Sequence, residues 1–373
     1  MDVRRPIGVY GAWIVASAWL CAGGWVLSWL GQLNRGGYAV FLLAGLGAWY
    51  VSGGGGLRRA GRFTEGVKAT KRRVWRWRKR FRRLLPMAFL LLASLAAVGG
   101  MLYEPNNGDG LTYRVPRVLH WLAAGRWHWI DTVYTRMNYS SVGFEWLMAP
   151  LLLFRGGDRL VFLVNMASYL MLPGLAFLAL RGLGVGGGGV AVAAAWSAVG
   201  LVILTPARPL WPAQTALSVL AARYPGHGLI ERARSVYGAY GRKWDSLGEL
   251  RELLPADVRA VGFVGNGDES EVSLWRPIGQ RRVVHLSEEG GETAIREQGL
   301  GWAVVSEGGV RRLGYVSVEG WLRRYDAEVV ARRSLMSKVS AGRQQWFVVR
   351  MRVRETGGVE DDAIVRGILE RGI

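Results

Sequence analysis

The sequence predicts an α-helical polytopic membrane domain over residues 1–205, followed by a small soluble α/β domain over residues 206–373. Long uncharged runs in the first part and mixed helix and strand patterning in the second predict it. No charged residue lies between Arg5 and Arg35, Arg35 and Arg58, Arg83 and Glu104, Arg159 and Arg181, or Arg181 and Arg208. About 20 apolar residues cross the hydrocarbon as a helix, so each run supplies one span. Trp146–Phe154 is a sixth, shorter candidate that must recruit residues before Glu145. The first run is too long and too rich in tryptophan for a cleaved signal peptide, and reads as a retained span.

Charge separates the two parts. Residues 1–205 carry 23 Lys and Arg against 7 Asp and Glu, a net +16, whereas residues 206–373 carry 25 against 21, a net +4. A basic excess lodged in the apolar part fits cytoplasmic loops beside membrane helices and excludes a nucleic-acid surface as the main reading. Arg58 to Arg83 alone holds 13 basic residues and one acid, Glu65. This stretch abuts a span and interleaves tryptophan with charge, as a juxtamembrane anchor on anionic lipid does. With Arg4, Arg5 and this stretch all cytoplasmic, two crossings separate them and the loop Glu104–Glu145 is extracytoplasmic. The expected location is a cell (inner) membrane, with multiple passes. The side of residues 206–373 depends on whether the Glu145 segment crosses.

Cys21 is the single cysteine, so no disulfide frame or CxxC metal site exists. His120, His128, His227 and His285 are dispersed and form no metal-ligand spacing. The sequence therefore names no metal site and no cofactor, and leaves a divalent cation open.

The loop carries the chemistry-bearing residues. Glu104–Gly110 forms turns, and Leu111 to Gly125 reads as a helix, with Leu111, Val115, Val118, Leu119 and Leu122 at helical spacing. Tyr113, Arg117 and His120 share another face, with Arg114 beside them. Asp109 stands at the expected N-cap and Gly125 at the expected stop. Two readings follow from residue types alone. Asp109 caps an interfacial helix anchored by its arginines, or Asp109 deprotonates a hydroxyl while guanidinium groups hold a phosphate.

Residues 103–146 resemble the first external loop of GT-C fold membrane glycosyltransferases, relatives of the protein mannosyltransferases and aminoarabinose transferases. The shared pattern is N-x-W-D-S-L-x-Y-H-x-P-R-x-x-x-W, and Asp109, Tyr113, Pro116, Arg117 and Trp121 match it. Ala207-Arg-Pro-Leu-Trp-Pro212 and Ser273-Leu-Trp-Arg-Pro277 are similar to later segments of the family. Gly108, Gly110 and Arg114 stand where the family has Trp, Ser and His, and five or six spans are fewer than the family's ten or more. The resemblance implies an incomplete GT-C-like domain that moves a sugar from a polyprenyl-phosphate-linked donor to a hydroxyl of an acceptor lipid, glycan or protein. It implies Asp109 as general base and Glu145 as a possible second acid. Arg117, with Arg114, would hold the donor phosphate, and Tyr113 and His120 would line the substrate. A shortened, inactive relative that binds lipid carrier or a membrane partner is the alternative.

In the second half, Val258–Gly265, Arg282–Leu286, Gly301–Ser306 and Gln345–Arg354 read as strands. Leu247–Leu254 and Gly320–Arg333 read as helices. Gly265-Asn-Gly-Asp268 reads as a plain turn, and Asp245, Asp268, Glu269 and Glu271 as solvated surface acids.

Overall fold

A computed structural model describes residues 7–52, 84–185, 210–267, 269–338 and 342–352, with 189, 192, 194–196 and 200. The basic stretch Arg58–Arg83 and Asp268 lie outside the described residues, as does most of the uncharged run after Arg181. The chain forms two compact units, each built from separated segments. Unit 1 comprises residues 1–19, 39–104 and 161–237; unit 2 comprises residues 20–38, 105–160 and 238–373. These units cut the chain differently from a single boundary at residue 205.

Unit 1 is helical. It contains the start of α1 (Ile7–Trp29), most of α2 (Arg35–Ser52), and all of α3 (Leu84–Leu102), α6 (Phe162–Gly182) and α7 (Ala213–Arg223). Three helical stretches among the described residues are long and apolar enough to cross a membrane: Tyr10–Trp29, Leu84–Leu102 and Arg159–Gly182. Of the five uncharged runs, the first, third and fourth supply these helices; α2, with its leading arginine and scattered glycines, is not among them, and the run after Arg181 lies mostly outside the described residues. The outer faces of the three are apolar, with Ile14, Val15, Leu90, Leu91, Met101 and Leu170 exposed, a surface that is stable in hydrocarbon and costly in water. Inward, small residues permit close packing: Gly45 lies under the Trp19 ring, which stacks on Phe41 at 4.5 Å, and Gly100 lies against Phe162.

Unit 2 is a mixed α/β body. Its sheet runs in the order β2-β1-β3-β5-β4, from β1 (Ala260–Val264), β2 (Arg282–His285), β3 (Trp302–Ser306), β4 (Ala327–Lys338) and β5 (Gly342–Met351). β1 pairs in parallel with β2 and with β3, whereas β5 is antiparallel to both β3 and β4. Short apolar strands such as Val261–Val264 and Ala303–Val305 are buried, as continuous apolar runs in a covered sheet must be. Val310, Leu313, Val318 and Trp321 seal one face, from α8 (Glu307–Arg312), the residue that caps it and α9 (Val318–Arg324). The expected helix Gly320–Arg333 is only half right. It ends at Arg324, Asp326 takes a left-handed φ of 46°, and the chain continues as β4. Pairing with β5 along this stretch overrides its local helical pattern.

The loop segment belongs to the same unit. α4 (Val115–Ala124) and α5 (Gly143–Arg155) pack on each other, with Trp121 and Trp146 at 5.0 Å between ring centroids. Gly24 near the end of α1 lets the helix approach the face of Trp146. α5 has 13 residues, about 20 Å of helix, and buries Glu145, Trp146, Met148, Leu152 and Leu153. It is too short to span and is a core element of unit 2, which corrects the sixth-span candidate. Residues 105–160 and 238–352 share one compact unit, joined by contacts such as His120 to Glu271, and are expected on the same side of a membrane. Cysteines at Asn107 and at Val316, which is 96% exposed, in a Cys21→Ala background are therefore expected to label together with an impermeant thiol reagent. Labelling of one but not the other in intact cells would refute the shared side.

Candidate functional site

The loop helix begins earlier than its apolar period indicates. Gly108 and Asp109 are helical, Gly110–Arg114 form a π-helical turn, and α4 follows without a break. Asn107 is the cap: its Oδ1 accepts from the Asp109 N–H at 3.1 Å, and its carbonyl accepts from Leu111 N–H at 3.0 Å. This corrects the cap reading of Asp109, whose side chain makes no cap hydrogen bond. Its carboxylate stays exposed in the first turn and interacts with the Tyr113 hydroxyl. Burial raises the Tyr113 pKa, with Arg114 lowering it and Asp109 adding to the rise. Gly125 ends α4 with φ 69°, the left-handed stop expected there. Lys243 sits against Gly108, where the GT-C pattern carries a tryptophan.

Arg117 and Glu145 are both fully buried and paired with each other. Arg117 also donates to the carbonyls of Ser140 and Ser141. A guanidinium with no exposed surface cannot reach a lipid phosphate, so Arg117 is a strut between α4 and the turn before α5. Glu145 is its counter-ion and has no access to act as an acid. Arg114, with 29% of its side chain exposed, shares Glu145 at 3.1 Å. It is the guanidinium of this pair that a ligand can touch.

His120 leaves the loop site altogether. It points at the carboxyl ends of the parallel strands β1 and β2, where its Nε2 lies 3.0 Å from Glu271 Oε1. His285, the last residue of β2, places Nε2 2.9 Å from Glu271 Oε2, and Trp275 Nε1 donates to Oε1 at 2.9 Å. Thr132 Oγ1 meets the other imidazole nitrogen of His285 at 3.0 Å. Burial alone would raise the Glu271 pKa. The attraction of His285 and hydrogen bonds from both histidines outweigh it, holding the carboxyl well below the usual range. Burial lowers the His120 pKa, against the pull of Glu271.

Glu269 and Glu271, expected as surface acids, are 3% and 1% exposed. Glu269 accepts from the Gly267 N–H at 2.7 Å, so the turn after β1 is closed by a buried carboxylate. Asp245 is bound by Arg251 at 2.6 Å and is likewise no solvated acid. Within Ser273–Pro277, Arg276 pairs with Asp158 and lies 4.2 Å over the Trp244 ring. This segment ties Asp158, just after α5, and Trp244 to the sheet part of unit 2. Of the other similar segment, Leu210–Pro212 is described and Ala207–Pro209 is not.

Thus the exposed Asp109 and the part-exposed Arg114 stay together beside the buried Tyr113, Arg117 and Glu145 form the buried frame, and His120 joins Glu271 and His285 elsewhere. Sequence spacing missed that trio because 151 residues separate His120 from Glu271. No protein-family model, curated protein or solved structure matches the chain.

Proposed function

We propose that the protein is a membrane glycosyltransferase of GT-C type, moving a sugar from a polyprenyl-phosphate donor to a hydroxyl acceptor on the outer face. Asp109 takes the proton of the acceptor hydroxyl as its oxygen bonds to the anomeric carbon. The bond from that carbon to the phosphate breaks, and Arg114 meets the charge of the departing polyprenyl phosphate. The observation carrying this reading is the Asp109 carboxylate, exposed at the start of the loop helix with capping delegated to Asn107. Around it, the buried Arg117–Glu145 pair keeps the helix rigid, as a preorganised base requires. The acceptor is a lipid, glycan or protein hydroxyl.

Five uncharged runs, against the ten or more spans of the GT-C pattern, favour a second reading, a shortened relative that binds a lipid carrier without transfer. Transfer of labelled sugar from hexosyl and pentosyl polyprenyl-phosphate donors in proteoliposomes separates the two. Product formation supports transfer. Retention of the labelled donor by folded protein, with no product, supports the carrier-binding relative.

A further inference from the structure

The carboxyl ends of parallel strands are where open α/β sheets place ligands, at the point where successive connections leave a strand in opposite directions. Here that strand is β1. The chain passes from β1 to β2 on one side, then crosses to β3 on the other. Glu271 follows β1, His285 ends β2, and His120 from α4 closes the crevice above them. We propose that His120, Glu271 and His285 bind one divalent transition metal of the zinc class, a site that fastens α4 to the sheet of unit 2.

The donor chemistry is two imidazoles and one carboxylate, a three-ligand set that suits zinc. The three donor atoms lie within 4.8 Å of one another. Four-coordinate zinc with bonds of about 2.0–2.1 Å sets neighbouring donors roughly 3.3 Å apart. His120 Nε2 lies 3.0 Å from Glu271 Oε1 and His285 Nε2 lies 2.9 Å from Oε2, so an ion would sit between the imidazoles against both carboxylate oxygens, or against one after a small turn of the carboxylate. All three side chains are at least nine-tenths buried, and their hydrogen bonds run to one another, to Thr132 and to Trp275.

The surroundings supply the outer partners that metal ligands use. Thr132 Oγ1 fixes the far nitrogen of His285, so that Nε2 faces inward. Trp275 Nε1 holds Oε1 of Glu271, and its ring meets His120 edge-on at 4.9 Å. Phe263 and Met137 add apolar walls to a cavity beside Glu271 and His285 that also touches Thr112 and Tyr134. Its volume of about 10 Å³ is close to the least that holds one water. The fourth ligand is therefore a single water.

Purified full-length protein in detergent, stripped with chelator and dialysed, is titrated with zinc by calorimetry and with cobalt(II) by visible absorption. One equivalent of zinc is expected, with the strong ligand-field bands of four-coordinate cobalt. His285→Gln and Glu271→Gln should each abolish saturable binding, and His128→Gln should leave it unchanged. Thr132→Ala lies outside the ligand set, so its fold is the least exposed to failure, and it should weaken zinc binding about 10–100-fold. Variants are compared only when they elute as the wild type does and keep its tryptophan emission. Folded wild type that takes up neither ion, or uptake unchanged in both His285→Gln and Thr132→Ala, would overturn the site and leave a hydrogen-bonded trio.

Discussion

Asp109→Asn is expected to lower sugar transfer by about 10²–10⁴-fold, the usual contribution of a general base, with little effect on the loop fold. The structural reason for expecting a clean result is Asn107. Because Asn107 satisfies the Asp109 N–H, the Asp109 carboxylate is not needed to start the helix, and amide replacement removes only its capacity to accept a proton. Asn107→Ala is the complementary variant. It should cost about 1 kcal/mol of stability through the lost cap and leave the chemistry of Asp109 in place. Initial rates of label transfer, beside thermal unfolding of the same preparations, resolve the two. Equal transfer rates in wild type and Asp109→Asn would remove Asp109 from the mechanism.

Glu145→Gln should have the largest effect on stability, about 3–5 kcal/mol, because it leaves the Arg117 charge buried without its counter-ion. For a body of this size that lowers the unfolding midpoint by roughly 10 °C. Arg117→Met combined with Glu145→Met removes both charges and should recover most of the loss, since well-packed apolar pairs often replace buried ion pairs at no net cost. A midpoint for Glu145→Gln within a degree of wild type would show that Arg117 finds solvent. Arg117 would then be available to a phosphate after all.

Hydropathy made the membrane helices legible, because a span is a local property of about 20 residues. α1 and α3 fall inside uncharged runs, and α6 fills the run between Arg159 and Arg181, ending one residue past the second charge. The loop helix was equally legible in its apolar period and its Gly125 stop. The cap was misread because Asn107 and Asp109 are both good capping residues, and only the backbone geometry distinguishes them. β4 was misread as helix because its partner β5 decides its conformation. The burial of Glu269 and Glu271 was hidden for a related reason. Acids beside a turn look solvated until a distant segment, here α4 with His120, covers them.

The placement of β5 has a consequence for biosynthesis. This last described strand lies in the interior of the sheet, between β3 and β4, so β3 keeps an open edge until residues near Met351 leave the ribosome. Unit 2 also draws on residues 20–38, translated more than 300 positions earlier. Pairings across such sequence distances close slowly and late. While translation continues, the exposed edge of β3 is the place where a nascent chain of this protein is open to mispairing and to capture by a chaperone.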